Sequence, residues 1–168
     1  MNRGFTLIEL LITIVVLSAL LAFALPNYSS LTAQNKIKQL TESLQTFMVT
    51  AKSEAVFRNQ DLYIHIVSMA SGTTETSGEW SLELSDSNTL GSPPIMTFSG
   101  ARFGHLAVSH NYTSDQITIN GTRGKISKSG FLGMYDIADS SKVVKVAANS
   151  GRVRACSDGG DYYGYKTC

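Results

Sequence analysis

The chain has 168 residues, 43% of them hydrophobic and 16% charged, with 14 basic against 13 acidic side chains. That length suits one domain, and the apolar fraction excludes a chain that fails to collapse. A formal charge of +1 excludes bulk attraction to nucleic acid or membrane, and two cysteines exclude a disulfide-stapled miniprotein or a four-cysteine zinc site.

The hydrophobicity is concentrated at the start. No charged residue lies between Glu9 and Lys36, and Leu10 to Leu25 is broken only by Thr13 and Ser18. The 21 residues from Phe5 to Leu25 would rise about 31 Å as a helix, against a hydrocarbon core of ~30 Å. A cleaved secretory signal fits poorly: only Arg3 precedes the stretch, no clean small-x-small site follows it, and Glu9 lies inside it. An acid in an apolar span is costly and needs a partner, which marks Glu9 as a functional candidate.

Gly4-Phe5-Thr6-Leu7-Ile8-Glu9-Leu10-Leu11 resembles the processing site of type IV prepilins and type II secretion pseudopilins. The resemblance implies a leader of residues 1–4, cut between Gly4 and Phe5 by a prepilin peptidase, with N-methylation of Phe5. It implies an inner-membrane anchor with a periplasmic head before assembly, an extracellular pilus afterwards, and other pilins as partners. In that family the glutamate matching Glu9 pairs with a neighbouring subunit's free amine. The physics agrees, since a carboxylate and an ammonium that are each costly in lipid neutralise one another. Pro26 falls where many pilins carry a helix-kinking proline.

After Pro26 the pattern becomes periodic. Ile37, Leu40, Leu44, Phe47 and Ala51 recur at three and four residues, with Lys36, Lys38, Glu42, Lys52 and Glu54 mostly off that stripe. This predicts one long helix, residues 5–27 as filament core or membrane segment and 28–60 as its amphipathic continuation, ending near Arg58-Asn59-Gln60. The stretch from Ala51 to Asn59 also resembles the helix end of GspH/FimT-like minor pilins and pseudopilins.

From Asp61 onward, Gly, Ser and Thr mix with alternating apolar residues. Strands are expected at Leu62–Val67, Trp80–Leu84, Ile95–Phe98, Leu106–Ser109, Gln116–Asn120, Lys142–Ala147 and Arg152–Cys156. Gly72, Gly78, Gly91-Ser92-Pro93-Pro94, Asn120-Gly121 and Asn149-Ser150-Gly151 supply the turns. The fold class is α+β and type IV pilin-like, a long amino-terminal helix packed on an antiparallel β-rich head, residues 61–168. Under the topology implied by the resemblance, Cys156 and Cys168 lie outside the cytoplasm, where a disulfide persists; two free thiols are the alternative.

Charge is neutral in total and uneven along the chain. Asp61, Glu75, Glu79, Glu83 and Asp86 are unopposed by any base within residues 61–86. From Arg102 to Arg154 eight bases face only Asp115, Asp136 and Asp139, a net +5. A basic half points to an anionic partner, while plain solvation of exposed strand positions explains the same count. Gly151-Arg152-Val153-Arg154 sharpens the first reading. Arg152 and Arg154 share one face of a strand about 6.6 Å apart, with Val153 turned inward. Two guanidinium forks on a hairpin that also carries Lys142 and Lys145 suit phosphates. Lys125, Lys128 and Lys166 are further candidate contacts, and Tyr162, Tyr163 and Tyr165 are candidates either for base stacking or for packing the loop.

The GRxR tetrapeptide with its short tail resembles the DNA-binding signature of FimT-like minor pilins, which serve DNA uptake in natural transformation. That resemblance implies contacts from Arg152 and Arg154 to the DNA backbone without sequence specificity, with Gly151 shaping the turn. Related tip-priming minor pilins and type II secretion pseudopilins also carry glycine and arginine near this strand, which leaves open a role in subunit contact without DNA. No catalytic residue, metal site or cofactor is expected. His65, His105 and His110 lack metal-ligand spacing, no nucleophile–base pair is visible, and Asp158-Gly159-Gly160-Asp161 reads as a turn rather than a calcium loop.

Overall fold

The structure, a computed structural model, describes residues 5–149 and 151–168, with only the backbone described for residues 23–30. Helix α1 (Leu7–Arg58) contributes to two compact units, residues 1–35 and 36–168. The expected cut at Gly4 and the expected kink side chain, Pro26, lie outside the described residues.

In the first unit Thr6 precedes the helix, and its Oγ1 accepts the Glu9 N–H at 3.3 Å, as a helix-starting hydroxyl does. Thr13 and Ser18, the polar interruptions of the apolar run, donate to the Leu10 and Ile14 carbonyls at 2.7 and 2.8 Å. Their hydroxyls are therefore satisfied by the helix itself, which lets an apolar helix carry them at little cost. Every side chain from Phe5 to Ala22 is exposed. A helix apolar on all faces is suited to lipid or to other apolar helices. Among the described residues no helix is long and apolar enough to cross a membrane; the expected span to Leu25 runs past Ala22, where description of the side chains stops.

The second unit is built on the periodic half of α1. Ile37, Leu40, Leu44, Phe47, Ala51 and Ala55 are buried, together with Met48 and Thr41. The helix ends as its sequence requires. Asn59 takes a left-handed φ of 50°, and the Asn59 and Gln60 N–H groups bond back to the Val56 and Ala55 carbonyls at 3.1 and 3.2 Å. This is a Schellman termination with asparagine in the place usually taken by glycine.

The strands are β1 (Leu62–Val67), β2 (Thr74–Glu75), β3 (Ser81–Ser85), β4 (Met96–Ser99), β5 (Leu106–His110), β6 (Gln116–Asn120), β7 (Lys125–Ile126), β8 (Gly130–Asp136), β9 (Asp139–Asn149) and β10 (Arg152–Ser157). They form two antiparallel sheets, ordered β4-β3-β1-β6-β7 and β10-β9-β8-β5-β2. Leu62, Ile64, Leu82, Leu84, Ile117 and Ile119 from the first sheet and Leu132, Met134, Val144, Val146 and Ala148 from the second join the helix stripe in one core. All seven expected strands are present, with ends shifted by up to three residues. The sequence reading missed β8, because Gly130-Phe131-Leu132-Gly133-Met134 carries two glycines and no alternation. It also missed the two-residue strands β2 and β7, which are too short for any period to register. A 3-10 turn, Ala101–Phe103, is the one helical piece after α1 among the described residues.

Cys156 and Cys168 are joined in a disulfide, their Cα atoms 5.0 Å apart. The closed loop returns alongside β10: the Ser157 N–H donates to the Lys166 carbonyl and the Cys168 N–H to the Ser157 carbonyl, each at 2.9 Å.

Candidate nucleic-acid interface

β9 and β10 form the expected hairpin. Arg152 stands opposite Asn149 and Arg154 opposite Ala147, so all four side chains share one face. Val153 turns to the other side and packs against the core. Both arginines are exposed. With Ala147, Asn149 and Gly151 they line a surface depression of about 470 Å³. Arg152 forms no ion pair among the described residues, whereas Arg154 donates from Nη2 to the Cys168 main-chain oxygen at 3.2 Å. The disulfide loop thus holds one guanidinium while its neighbour is available to a ligand.

The remaining candidate bases are placed differently. Lys145 lies on the face of the arginines, opposite Cys156. Its Nζ is 2.6 Å from the Asp158 carboxylate and 4.4 Å from the centre of the Phe131 ring. With its side chain only 19% exposed, Lys145 is committed within the fold. Lys142 sits seven positions from Asn149 along β9, about 23 Å at strand rise, and pairs with Asp139 at 2.8 Å. Hydrogen bonds from Lys142, then from Ser141, hold the Asp139 carboxyl down at about 2, and the same pair raises Lys142. Lys166 pairs with Asp161 at 2.6 Å, which raises the lysine and lowers the aspartate. Lys128 reaches the Ser114 hydroxyl at 3.4 Å.

Lys125 is exposed on β7, where it stands opposite Asn120, and its side chain forms no ion pair among the described residues. It lines a second depression, of about 510 Å³, with Asn120, Thr122, Arg123 and Ser127. Arg123 was not singled out by the sequence pattern, nor was Lys52, whose Nζ donates to the Gly151 carbonyl. No sequence signal joins Lys52 to Gly151, which are 99 positions apart.

Of the three tyrosines, Tyr163 and Tyr165 pack against the core, and burial pushes both phenols up. Packing of the loop is their role here. The buried histidines are likewise engaged internally. His65 Nε2 is 3.0 Å from the Ser87 carbonyl, and His110 Nε2 is 3.0 Å from that of Met69.

Residues 40–164 match the family model of the type II transport protein GspH. The chain belongs to the GspH family. Residues 1–25 match the prokaryotic N-terminal methylation motif. Over 62 residues the chain is 37% identical to the type IV major pilin protein PilA of Myxococcus xanthus (strain DK1622), a stretch covering 37% of this chain and 27% of that protein. The fold is similar to that of the type IV minor pilin FimU of Pseudomonas aeruginosa (strain PAO1). In one crystal form the TM-score is 0.56 at 17% identity, over 73% of this chain and 90% of the other. In a second form it is 0.52 at 15% identity, over 70% and 90%. At these identities the likeness to FimU is one of fold. The chain is thus a member of the GspH family with an N-terminal methylation motif and a type IV pilin-like fold.

Proposed function

We propose that this GspH-family chain is a minor pilin that captures extracellular DNA and supports its uptake. A prepilin peptidase would cut between Gly4 and Phe5 and leave Phe5 N-methylated. The apolar helix then anchors the subunit in the inner membrane, with the head periplasmic, until a pilus takes it up. Within the filament Glu9 neutralises the free amine of a neighbouring pilin, as buried opposite charges must be paired. The head grips DNA phosphates through Arg152 and Arg154, without reading bases.

The observation that carries this reading is the pair of exposed arginines on one face of β9–β10, with Arg152 unpaired among the described residues. The three lysines with carboxylate partners, Lys142, Lys145 and Lys166, contribute less. Salt-titrated DNA binding by the full chain in detergent micelles, beside Arg152→Ala/Arg154→Ala, tests it. Wild-type binding that weakens with salt and is lost in the folded variant is expected.

One observation favours a second reading. The Arg154 bond to the Cys168 main-chain oxygen is what a fold-stabilising arginine makes. In that case the tetrapeptide shapes the head of a pilus-tip primer or type II secretion pseudopilin, and its contacts are other pilins. Wild-type protein that fails to bind DNA at low salt would favour this alternative.

A further inference from the structure

Two basic turns, one from each sheet, lie near a single lysine of α1. The β9–β10 turn presents Gly151, Arg152 and Arg154, and Lys52 Nζ is bonded to the Gly151 carbonyl. The β6–β7 turn presents Thr122, Arg123 and Lys125. Its Gly124, at φ +58°, lies against the same stretch of helix. A methyl group placed there would sit 3.1 Å from Val56 Cγ2, 3.7 Å from the Lys52 carbonyl oxygen and 3.8 Å from Lys52 Cε. Lys52 therefore passes close to Gly124 of one turn and bonds the other through its ammonium. The β6–β7 turn is held in place at its start as well. Asp61 Oδ1 accepts the Gly121 N–H at 2.8 Å and the Asn120 amide at 3.2 Å, and a side chain at Gly121 would strike the Gln60 backbone at 2.3 Å.

Charge follows the same geometry. From Gln116 to Ser129 there is no acidic residue, and none follows Asp139 until Asp158. Nearby, Glu54 is paired with Arg58 at 2.6 Å, and Asp61 is engaged with the turn backbone rather than with a cation. Arg123, Lys125 and Arg152 have no ion-pair partner among the described residues, in contrast to Lys142, Lys145 and Lys166. Three cations without ion-pair partners among the described residues, Arg123, Lys125 and Arg152, thus lie on the two turns near Lys52; Lys36 and Lys38 on α1 and Arg102 in the 3-10 turn are unpaired as well.

We propose that the β6–β7 turn, through Arg123 and Lys125, is a second phosphate-binding arm, so that one nucleic-acid backbone is held from both sheets across Lys52. This rests on the DNA-capture reading above and extends it to a surface with no part in the arginine tetrapeptide. Two arms on separate turns contact separate phosphates, and each neutralised phosphate adds roughly 0.9 to the magnitude of the logarithmic salt slope on duplex DNA.

The test uses the full chain in detergent micelles with a short labelled duplex DNA, titrated across salt. Four proteins are compared: wild type, Arg152→Ala/Arg154→Ala, Arg123→Gln/Lys125→Gln, and Lys36→Gln/Lys38→Gln as a control removing equal charge elsewhere on the same unit. Thermal melts verify that each is folded. The proposal expects the Arg123/Lys125 variant to bind more weakly, with a salt slope about two units shallower than wild type, and expects the control to be unaffected. A slope unchanged in that variant, while the Arg152/Arg154 variant loses binding, overturns the second arm and leaves DNA capture standing. Equal losses in the Arg123/Lys125 and control variants reduce the effect to total charge and also overturn it. Loss in the Arg123/Lys125 variant alone would overturn a shared grip. Absence of wild-type binding would refute DNA capture and the arm together.

Discussion

Reducing the Cys156–Cys168 disulfide offers a perturbation whose size follows from chain connectivity. The bridge spans a sequence separation of 12, and closing a loop of that length removes about 3 kcal/mol of unfolded-state entropy. Reduction leaves the loop's own hydrogen bonds chemically intact: Ser157 to Lys166 and Cys168, and Thr167 to Asp161 at 2.9 Å. The loss is therefore mainly the entropic one. For a chain of this size it corresponds to a melting temperature lower by about 10 °C. Calorimetry of the full chain in detergent micelles, with and without reductant, measures it. A Cys156→Ala/Cys168→Ala variant separates the bridge from side effects of the reductant. That variant should melt near the reduced wild type and ignore reductant. A wild-type melt moved by less than about 2 °C would refute the argument that the bridge pins this loop. Since Arg154 is bonded to the Cys168 main-chain oxygen, the reduced protein should also bind DNA more weakly than the oxidised form, though not as weakly as the double arginine variant.

Three further outcomes are expected. Gly130→Ala puts a methyl 2.4 Å from Tyr112 Cε1; because Tyr112 is only 1% exposed, the ring has no room to yield, and overpacking should cost about 1–3 kcal/mol in a denaturant titration. An unchanged midpoint would show that the Tyr112 site relaxes. Asp139 titrates at about 2 when folded against 3.8 ordinarily, so its depressed value favours folding above the ordinary value, and that contribution is lost as pH falls from 3.8 through 2. Asp139→Asn should flatten the acid limb of the melting profile in that window, and an identical limb in the variant would contradict the pairing with Lys142. Glu9→Ala should leave the head's melting transition unchanged and cut incorporation into filaments, measured as the ratio of sheared to cell-associated protein; normal incorporation would remove Glu9 from assembly.

Local pattern carried most of the architecture. The helix stripe from Ile37 to Ala51 and the alternation in Leu62–Val67 and Gln116–Asn120 each encode one buried face, and each appears where its period puts it. β8 did not announce itself, because Gly130 and Gly133 interrupt its apolar pattern, and the glycine at 130 meets a steric demand that has nothing to do with strand propensity: it lies against the Tyr112 ring. The arginine face was readable from residue parity along one strand. What parity leaves out is the partner of each cation. Asp158 engages Lys145 and Asp161 engages Lys166 through the return of the disulfide loop, and the meeting of Lys52 with Gly151 crosses from helix to second sheet. Those contacts depend on the packing of elements far apart in sequence, and they decide which bases remain free for a ligand.

The arginine face of the β9–β10 hairpin is proposed to hold DNA by its phosphates. This grip is tested most directly by the logarithmic salt dependence of duplex binding for the full chain beside Arg152→Ala/Arg154→Ala. The expected result is a wild-type affinity that falls linearly with log salt, and a folded variant that has lost roughly two units of slope with most of the binding. A folded variant whose affinity and slope match those of the wild type would contradict it.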